Sequence, residues 1–234
     1  MKILVLLAAA CGLAAQERAA FEAVFIKPNE SHSLGMSMRA GGSQWEWTNI
    51  SLKQLVQNAY QLHEFNYSAP SWLDSACFDV VAKIPEGKHH QVAEMLQTML
   101  ADRFKLAVHR ESRDEPGLAL TIDKKGLRIK PVDGDGTMTG TWPTRVQLKG
   151  GSMSQFASAL ATVLNRPVRD TTDAKGVYDI DIKWTADMPT SNDPTDMPGS
   201  VYGAVAELGL RLRAQKVPVE VLVVDRLERT PTDN

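Results

Sequence analysis

CFDVVAKIP, residues 77–85, and VYDIDIKWT, residues 177–185, stand one hundred positions apart and follow one pattern: an aromatic, an Asp, a short apolar run, a Lys, a large apolar residue. Each is rich in β-branched residues and alternates in the way that a half-buried strand requires. The surroundings repeat as well. Ser51-Leu52-Lys53-Gln54-Leu55 is answered by Ser152-Met153-Ser154-Gln155-Phe156, each at the start of a helix. Arg103-Phe104-Lys105-Leu106 is answered by Leu208-Gly209-Leu210-Arg211-Leu212, and each precedes a strand that opens on a proline, Pro116 or Pro218. Matched elements in one order favour an internal duplication over two unrelated α+β halves built from similar parts.

The predicted fold class is therefore α+β: two tandem related βαβαβ-like units, each with two helices packed on a small mixed sheet. The first unit with its N-terminal strand spans 21–131 and the second spans 144–229. A linker covers 132–143, and a polar loop with three prolines covers 186–199. Within the first unit, 21–29 reads as a strand stopped by Pro28, 30–43 as a loop, and 45–62 as a strand running into a helix capped by Asn49 or Ser51. Val92, Met95, Leu96, Met99, Leu100 and Phe104 fall on one face of a helix over 91–104. FKLAVHRES and GLALTIDKKG read as two strands of a hairpin turned by RDEPG.

The N-terminus, MKILVLLAAACGLAAQERAA, has one Lys, an apolar run and small residues, the pattern of a cleaved signal peptide over 1–15. Cys11 follows three alanines, in loose likeness to a lipoprotein cleavage box, but Ala8 stands where a Leu is expected; lipid anchoring at Cys11 is the lesser alternative. Loss of Cys11 with the leader leaves Cys77 as the sole thiol and no internal disulfide. The remaining chain is expected to be periplasmic or secreted and not an integral membrane protein, since no later stretch reaches the ~18 apolar residues of a membrane helix. A net charge of −2, with both signs interspersed, provides no basic stripe, so nucleic acid is not an expected partner.

Chemistry-bearing residues are few. Cys77 has no nucleophile motif around it. The adjacent pair His89-His90 lacks the spacing of four on a helix, or two on a strand, that aims both side chains at one metal. Asp79, Asp179 and Asp181 occupy repeated strand positions, either as paired carboxylates or, as their alternation favours, as surface residues beside Lys83 and Lys183. DGDGT (133–137) lacks the downstream ligands of a calcium loop. Phosphate-loop, triad and zinc signatures are absent, so no catalytic residue, metal or cofactor is assigned. The aromatic group Trp45, Trp47, Tyr60, Phe65, Tyr67 and Trp72 remains; Trp45, Trp47 and Trp72 are the candidate ligand-binding residues, as a platform for a glycan or peptide or as a cap on the core.

PSWLDSACFDVVAKIPEG, MLQTMLADRFKLAVHRES and QKVPVEVLVVDRLERTP resemble the exported, Acidobacterial soil-associated family of proteins with a domain of unknown function. That resemblance implies export, covers nearly all of the chain after the leader, and carries no catalytic residues. Similar domains are attached to antibiotic-sensor-type metallopeptidases. SLKQLVQNAYQLHEFNY and VAEMLQTMLADRFKLAV also resemble, at fold level, the two helices of the short N-terminal domain of secretins and TonB-dependent receptors, which implies an interaction and signalling role. The expected function is a non-catalytic periplasmic binding or signalling module whose partner is a peptide segment or envelope protein, met at a strand edge or a cleft. The alternatives are an exported hydrolase, with Asp79, Asp181, His63 or His109 converging only in three dimensions, and a structural envelope protein.

Overall fold

A computed structural model describes residues 18–31, 35–134, 138–185 and 200–232. The signal segment with Cys11, part of DGDGT and the 186–199 loop lie outside the described residues. The chain is mixed α+β, with four α-helices and several small sheets among the described residues. It divides into two compact units, and the division is not sequential. Among the described residues, one unit holds 18–31, 35–61, 71–106 and 227–232; the other holds 62–70, 107–134, 138–185 and 200–226.

In the first unit, β1 (Ala23–Pro28), β2 (Ser37–Gly41), β3 (Gln44–Ser51) and β5 (Cys77–Lys83) form a sheet in the order β1-β5-β3-β2, while β4 (Tyr67–Ser68) belongs to the second unit. Every pairing in this sheet is antiparallel, where a mixed sheet is predicted. β2 lies in the stretch read as a loop; all five of its residues are exposed, so the polar pattern that hides it from sequence is that of an edge strand. Helices α1 (Leu52–Tyr60) and α2 (Val92–Phe104) cover the sheet. Trp47, Ile50, Leu55, Val56, Val80, Met95, Leu100 and Phe104 form the buried interior, with Phe78 edge-on to Phe104 at 5.2 Å. Gln97 Nε2 donates to the Ala59 carbonyl at 2.7 Å, tying α2 to the last turn of α1.

The strand that leads into α1 carries one extra residue. Trp47 faces Val80 and Ile50 faces Phe78, so Thr48 and Asn49 together oppose Asp79, a β-bulge. Asn49 takes φ 57, and its freed N–H donates to the Asp79 carboxylate at 2.9 Å. Two residues on, Ser51 caps α1: its Oγ accepts from Gln54 N at 3.2 Å, and Gln54 Oε1 accepts from Ser51 N at 3.1 Å.

The second unit uses the same device. β7 (Met138–Trp142) and β8 (Arg145–Gly151) form a hairpin, and β8 pairs with β10 (Tyr178–Lys183). Lys149 and Gly150 oppose Asp179; Gly150 takes φ 60 and donates its N–H to Asp179 at 2.8 Å. Ser152 and Gln155 then form the capping box of α3 (Met153–Leu164). Asp79 and Asp179 are thus not free surface residues beside Lys83 and Lys183. Lys83 pairs with Glu22 at 2.7 Å, and the aspartates hold bulge amides. β7 falls inside the predicted 132–143 linker. Its Gly140 leaves the space that the Trp142 ring fills, and the Arg145 guanidinium lies 5.3 Å over that ring.

A further pairing changes the architecture. RDEPG is not a turn: Ala107–Ile122 is a single strand, β6, paired along its length with β11 (Leu210–Arg226). The last strand of the first sequence half, β6, therefore belongs to the second unit and pairs there with β11, the last strand of the second half. Both prolines are tolerated for one reason. Leu118 N donates sideways to Pro167 O at 2.8 Å, so even-numbered residues of β6 point their amides away from β11. The register runs without a slip from Ile122 opposite Leu210 to Val108 opposite Val224. Pro116 therefore removes no ladder bond, nor does Pro218, which sits opposite Asp114. Strands β9 (Val168–Asp170) and β4 add to β6 and β11 in parallel, giving the order β4-β11-β6-β9. α3 and α4 (Val201–Glu207) complete a core containing Leu118, Leu148, Phe156, Leu160, Tyr178, Val205 and Leu212. After α4 the chain turns at Gly209, φ 78, where a Cβ would stand 2.2 Å from the Gly126 carbonyl oxygen. Residues 227–232 return to the first unit, where Glu228 N and Thr232 N donate to the Phe104 and Arg103 carbonyls at the end of α2.

Replacing Asp179 or Asp79 by Ala leaves a bulge amide without its acceptor. Each is expected to cost about 1–3 kcal/mol; urea denaturation of the two variants beside the parent measures it, and an Asn replacement is expected to recover part of the loss.

Candidate functional site

The parity that accommodates the prolines also defines an unpaired edge. β9 pairs with β6 only at Leu118–Leu120. From Val108 to Asp114, the outward N–H and C=O groups belong to Val108, Arg110, Ser112 and Asp114. Among the described residues no strand pairs with them, and no hydrogen bond uses these groups. At ~3.3 Å per residue this edge is about 20 Å long.

Charged side chains flank it on both faces. His109 Nδ1 lies 2.8 and 2.9 Å from the two Asp225 carboxylate oxygens, with Nε2 3.9 Å from Glu111. Arg110 pairs with Glu220 at 3.0 Å, and Arg113 pairs with Glu111. The hydrogen bond to Asp225 chiefly, with the negative charge of Asp225 and Glu111, raises the His109 pKa above its ordinary 6.5. Behind this half of the ribbon, Val217, Val219 and Val221 are buried, with Phe65 and Val223 packed on them. His63 stacks on Phe65 at 5.1 Å. A groove of about 560 Å³ runs from this pair past Val219 and Arg169 to the small side chains Ser154, Ala157 and Ser158 on α3.

The residues singled out from sequence fall in separate places. Asp79 holds the Asn49 amide and accepts from Asn29 Nδ2 at 2.6 Å. Asp181 is gripped by Arg145 at 2.8 and 2.6 Å, which holds its carboxyl below the usual range. Within the second unit His63, His109 and Asp181 each engage a different neighbour and none meets another. Cys77 is a half-buried free thiol at the start of β5. Trp47 is 2% exposed and belongs to the core; Trp45 is half-buried and meets its edge at 5.7 Å. Trp72 is capped by its own chain, with the Arg229 guanidinium 4.7 Å above the ring. Among the described residues no cluster of three or more His, Cys, Asp or Glu is placed to hold a metal ion. No described helix is long and apolar enough to cross a membrane.

The family model described as "Protein of unknown function (DUF3738)" matches residues 53–227, from the first turn of α1 to one residue beyond β11. The chain belongs to this family. The DUF3738 match spans the whole β6–β11 ribbon and helices α2, α3 and α4, while β1, β2 and β3 with Trp45 and Trp47 precede it. No curated protein and no solved structure matches the chain.

The unpaired edge was not visible from sequence because RDEPG has the composition of a turn, and splitting β6 there removes the edge. The signal that finds it is parity: Pro116 and Pro218 can share one antiparallel ribbon only if both lie at positions without ladder bonds.

The raised His109 pKa has a definite consequence. A group titrating higher in the folded chain contributes stability that is complete below pH 6.5 and lost as pH rises through the raised value. Imidazole resonances followed by NMR are expected to show His109 titrating above 6.5, and Asp225→Asn to bring it back towards that value. An unshifted midpoint in the parent protein would contradict the pairing.

Proposed function

We propose that this DUF3738 protein is an exported, non-catalytic interaction module that takes up an extended polypeptide segment along the outer edge of β6. The observation that carries the reading is the run of four residues with outward N–H and C=O groups, from Val108 to Asp114, beside a ribbon whose other edge is satisfied by β11. A segment that pairs with such an edge gains main-chain hydrogen bonds, and its alternate side chains meet the flanking charges. Export rests on the leader-like N-terminus. The hydrolase alternative needs at least two of its candidate groups in one pocket, whereas His63, His109 and Asp181 are each engaged elsewhere.

We infer, too, that the two halves of the sequence descend from one ancestral segment. The supports are the paired bulges held by Asp79 and Asp179, the Ser-x-x-Gln caps at Ser51 and Ser152, and the common order of hairpin, helix, strand, helix, strand.

A single substitution separates the edge from the fold. Ser112 points its amide outward, so Ser112→Pro removes a donor from the edge without removing a bond to β11, as Pro116 does natively. Peptides selected by phage display against the parent protein are expected to bind Ser112→Pro at least tenfold more weakly, a loss of about 1.4 kcal/mol. N-methylation at alternate peptide residues is expected to abolish binding. Equal affinity for both proteins, with unchanged thermal unfolding, would overturn the reading.

A further inference from the structure

A second surface, on the first unit, has a different chemistry. Trp45 stands at the rim of the core face of β3. Its direct neighbours across the sheet are Ala40 on β2 and Ala82 on β5, both small, while Met38, two residues along β2, lines the same cleft. Trp47 holds one edge of the ring at 5.7 Å and 64°, fixing its orientation. His89 flanks it at 6.5 Å between centroids, tilted by 35°. The result is a partly exposed, held aromatic surface at the mouth of a cleft of about 320 Å³, near the lower limit of the ~300–1,000 Å³ typical of small-molecule sites.

The remainder of the cleft joins apolar Met38, Val92, Ala93 and Leu96 to polar side chains that carry no fixed charge. Asn58 and Gln61, on the last turn of α1 and its cap, bring two exposed side-chain amides to it, and His89 and His90 bring imidazoles. The Asn58 and Gln61 side-chain amides have no hydrogen-bond partner among the described residues. Each offers two donors and one acceptor in a plane. No Asp, Glu, Lys or Arg lines the cleft, so it carries nothing to balance a phosphate, a carboxylate or an ammonium group. A flat aromatic surface beside unengaged amides matches a ligand with one apolar ring face and a girdle of hydroxyls.

We propose that this cleft is a binding site for a neutral saccharide, with one sugar ring stacked on Trp45 and its hydroxyls hydrogen-bonded by Asn58 and Gln61. The site is independent of the β6 edge, which belongs to the other unit. Its chemistry points to recognition of a neutral glycan chain.

The probes are neutral oligosaccharides (maltohexaose, cellohexaose, xylohexaose and chitohexaose), with oligogalacturonate as the anionic comparison. Binding by the parent, the amide variant and Ser112→Pro is read from the Trp45 indole N–H resonance, assigned with Trp45→Phe, and affinities of all variants, the Trp45 variants included, from isothermal titration calorimetry. At least one neutral chain is expected to shift this resonance saturably, and oligogalacturonate to leave it unmoved. Trp45→Ala is expected to weaken that binding at least tenfold, Trp45→Phe less, and Asn58→Ala with Gln61→Ala at least tenfold. Trp45→Phe preserves an aromatic ring at the core rim and so separates loss of stacking from loss of folding. Ser112→Pro should bind the saccharide as the parent does. The proposal is overturned if no neutral chain moves the Trp45 resonance, if the anionic chain binds equally well, or if Trp45→Phe and the double amide variant both bind as the parent does.

Discussion

A carboxylate holding one backbone amide organises each unit. A strand that must turn into a helix within two residues frees an N–H at the turn, and an unpaired buried amide is expensive. Asp79 and Asp179 supply the acceptor from the neighbouring strand, opposite Asn49 and Gly150. Once that amide is held, Ser51 and Ser152 fall at the N-caps, and Leu52, Leu55 and Val56 or Met153, Phe156 and Leu160 turn inward onto the sheet. The Asp at the second position of each repeated strand, which resembles a catalytic carboxylate in isolation, is a hinge pin. The two hinge residues differ as their backbones allow: φ near 60° is tolerated by Asn and free for Gly.

The β6–β11 ribbon follows from a second constraint, the pairing of two long strands with a proline in each. Every residue of β11 from Leu210 to Val224 has a partner on β6, so the ladder runs on where sequence alone suggests that both strands are interrupted. Shorter strands complete the sheet, and neither reaches far: β9 covers three residues of β6, and β4 covers two of β11. The long outer edge of β6 is a remainder of this arithmetic. Water solvates its free amides, so the edge costs little in stability; its hazard is uncontrolled pairing, which charged flanks oppose.

Much of the fold was legible in residues with strong local signals. Ser51 and Ser152 each precede a Gln by three, Val92 to Phe104 keeps a helical stripe, and 77–83 and 178–183 alternate cleanly; all of these elements form as the pattern implies. What sequence missed depends on partners that are distant in the chain. β2 has no apolar period because every residue is exposed, and β7 is visible only through its pairing with β8. β6 reads as two strands because Asp, Glu, Pro and Gly favour turns unless a partner holds them extended. The partner is Gly117 and its neighbours' contact with Gln215 and its neighbours, about a hundred residues away. Of the aromatic candidates, Trp45 is the one left facing a cleft, because Trp47 is consumed by the core and Trp72 by Arg229. The deciding feature, Ala40 and Ala82 on either side of it, appears only once the register is fixed.

If a segment pairs along β6 as proposed, the charge pattern there favours selectivity over simple blocking. A purely protective edge needs only repulsion, which charges of one sign supply. Here Arg110, Glu111 and Arg113 are neutralised by pairing within the ribbon, whereas Asp114, Glu115 and Lys216 near its far end have no ion-pair partner among the described residues. A strand laid along the edge therefore meets a nearly neutral half and a half with fixed, uncompensated signs. Sliding it by two residues keeps the same faces but moves its side chains against different charges. In the proposed strand uptake, the edge would thus distinguish one register from its neighbours, a property that matters for recognising a defined segment and has no use in merely repelling one.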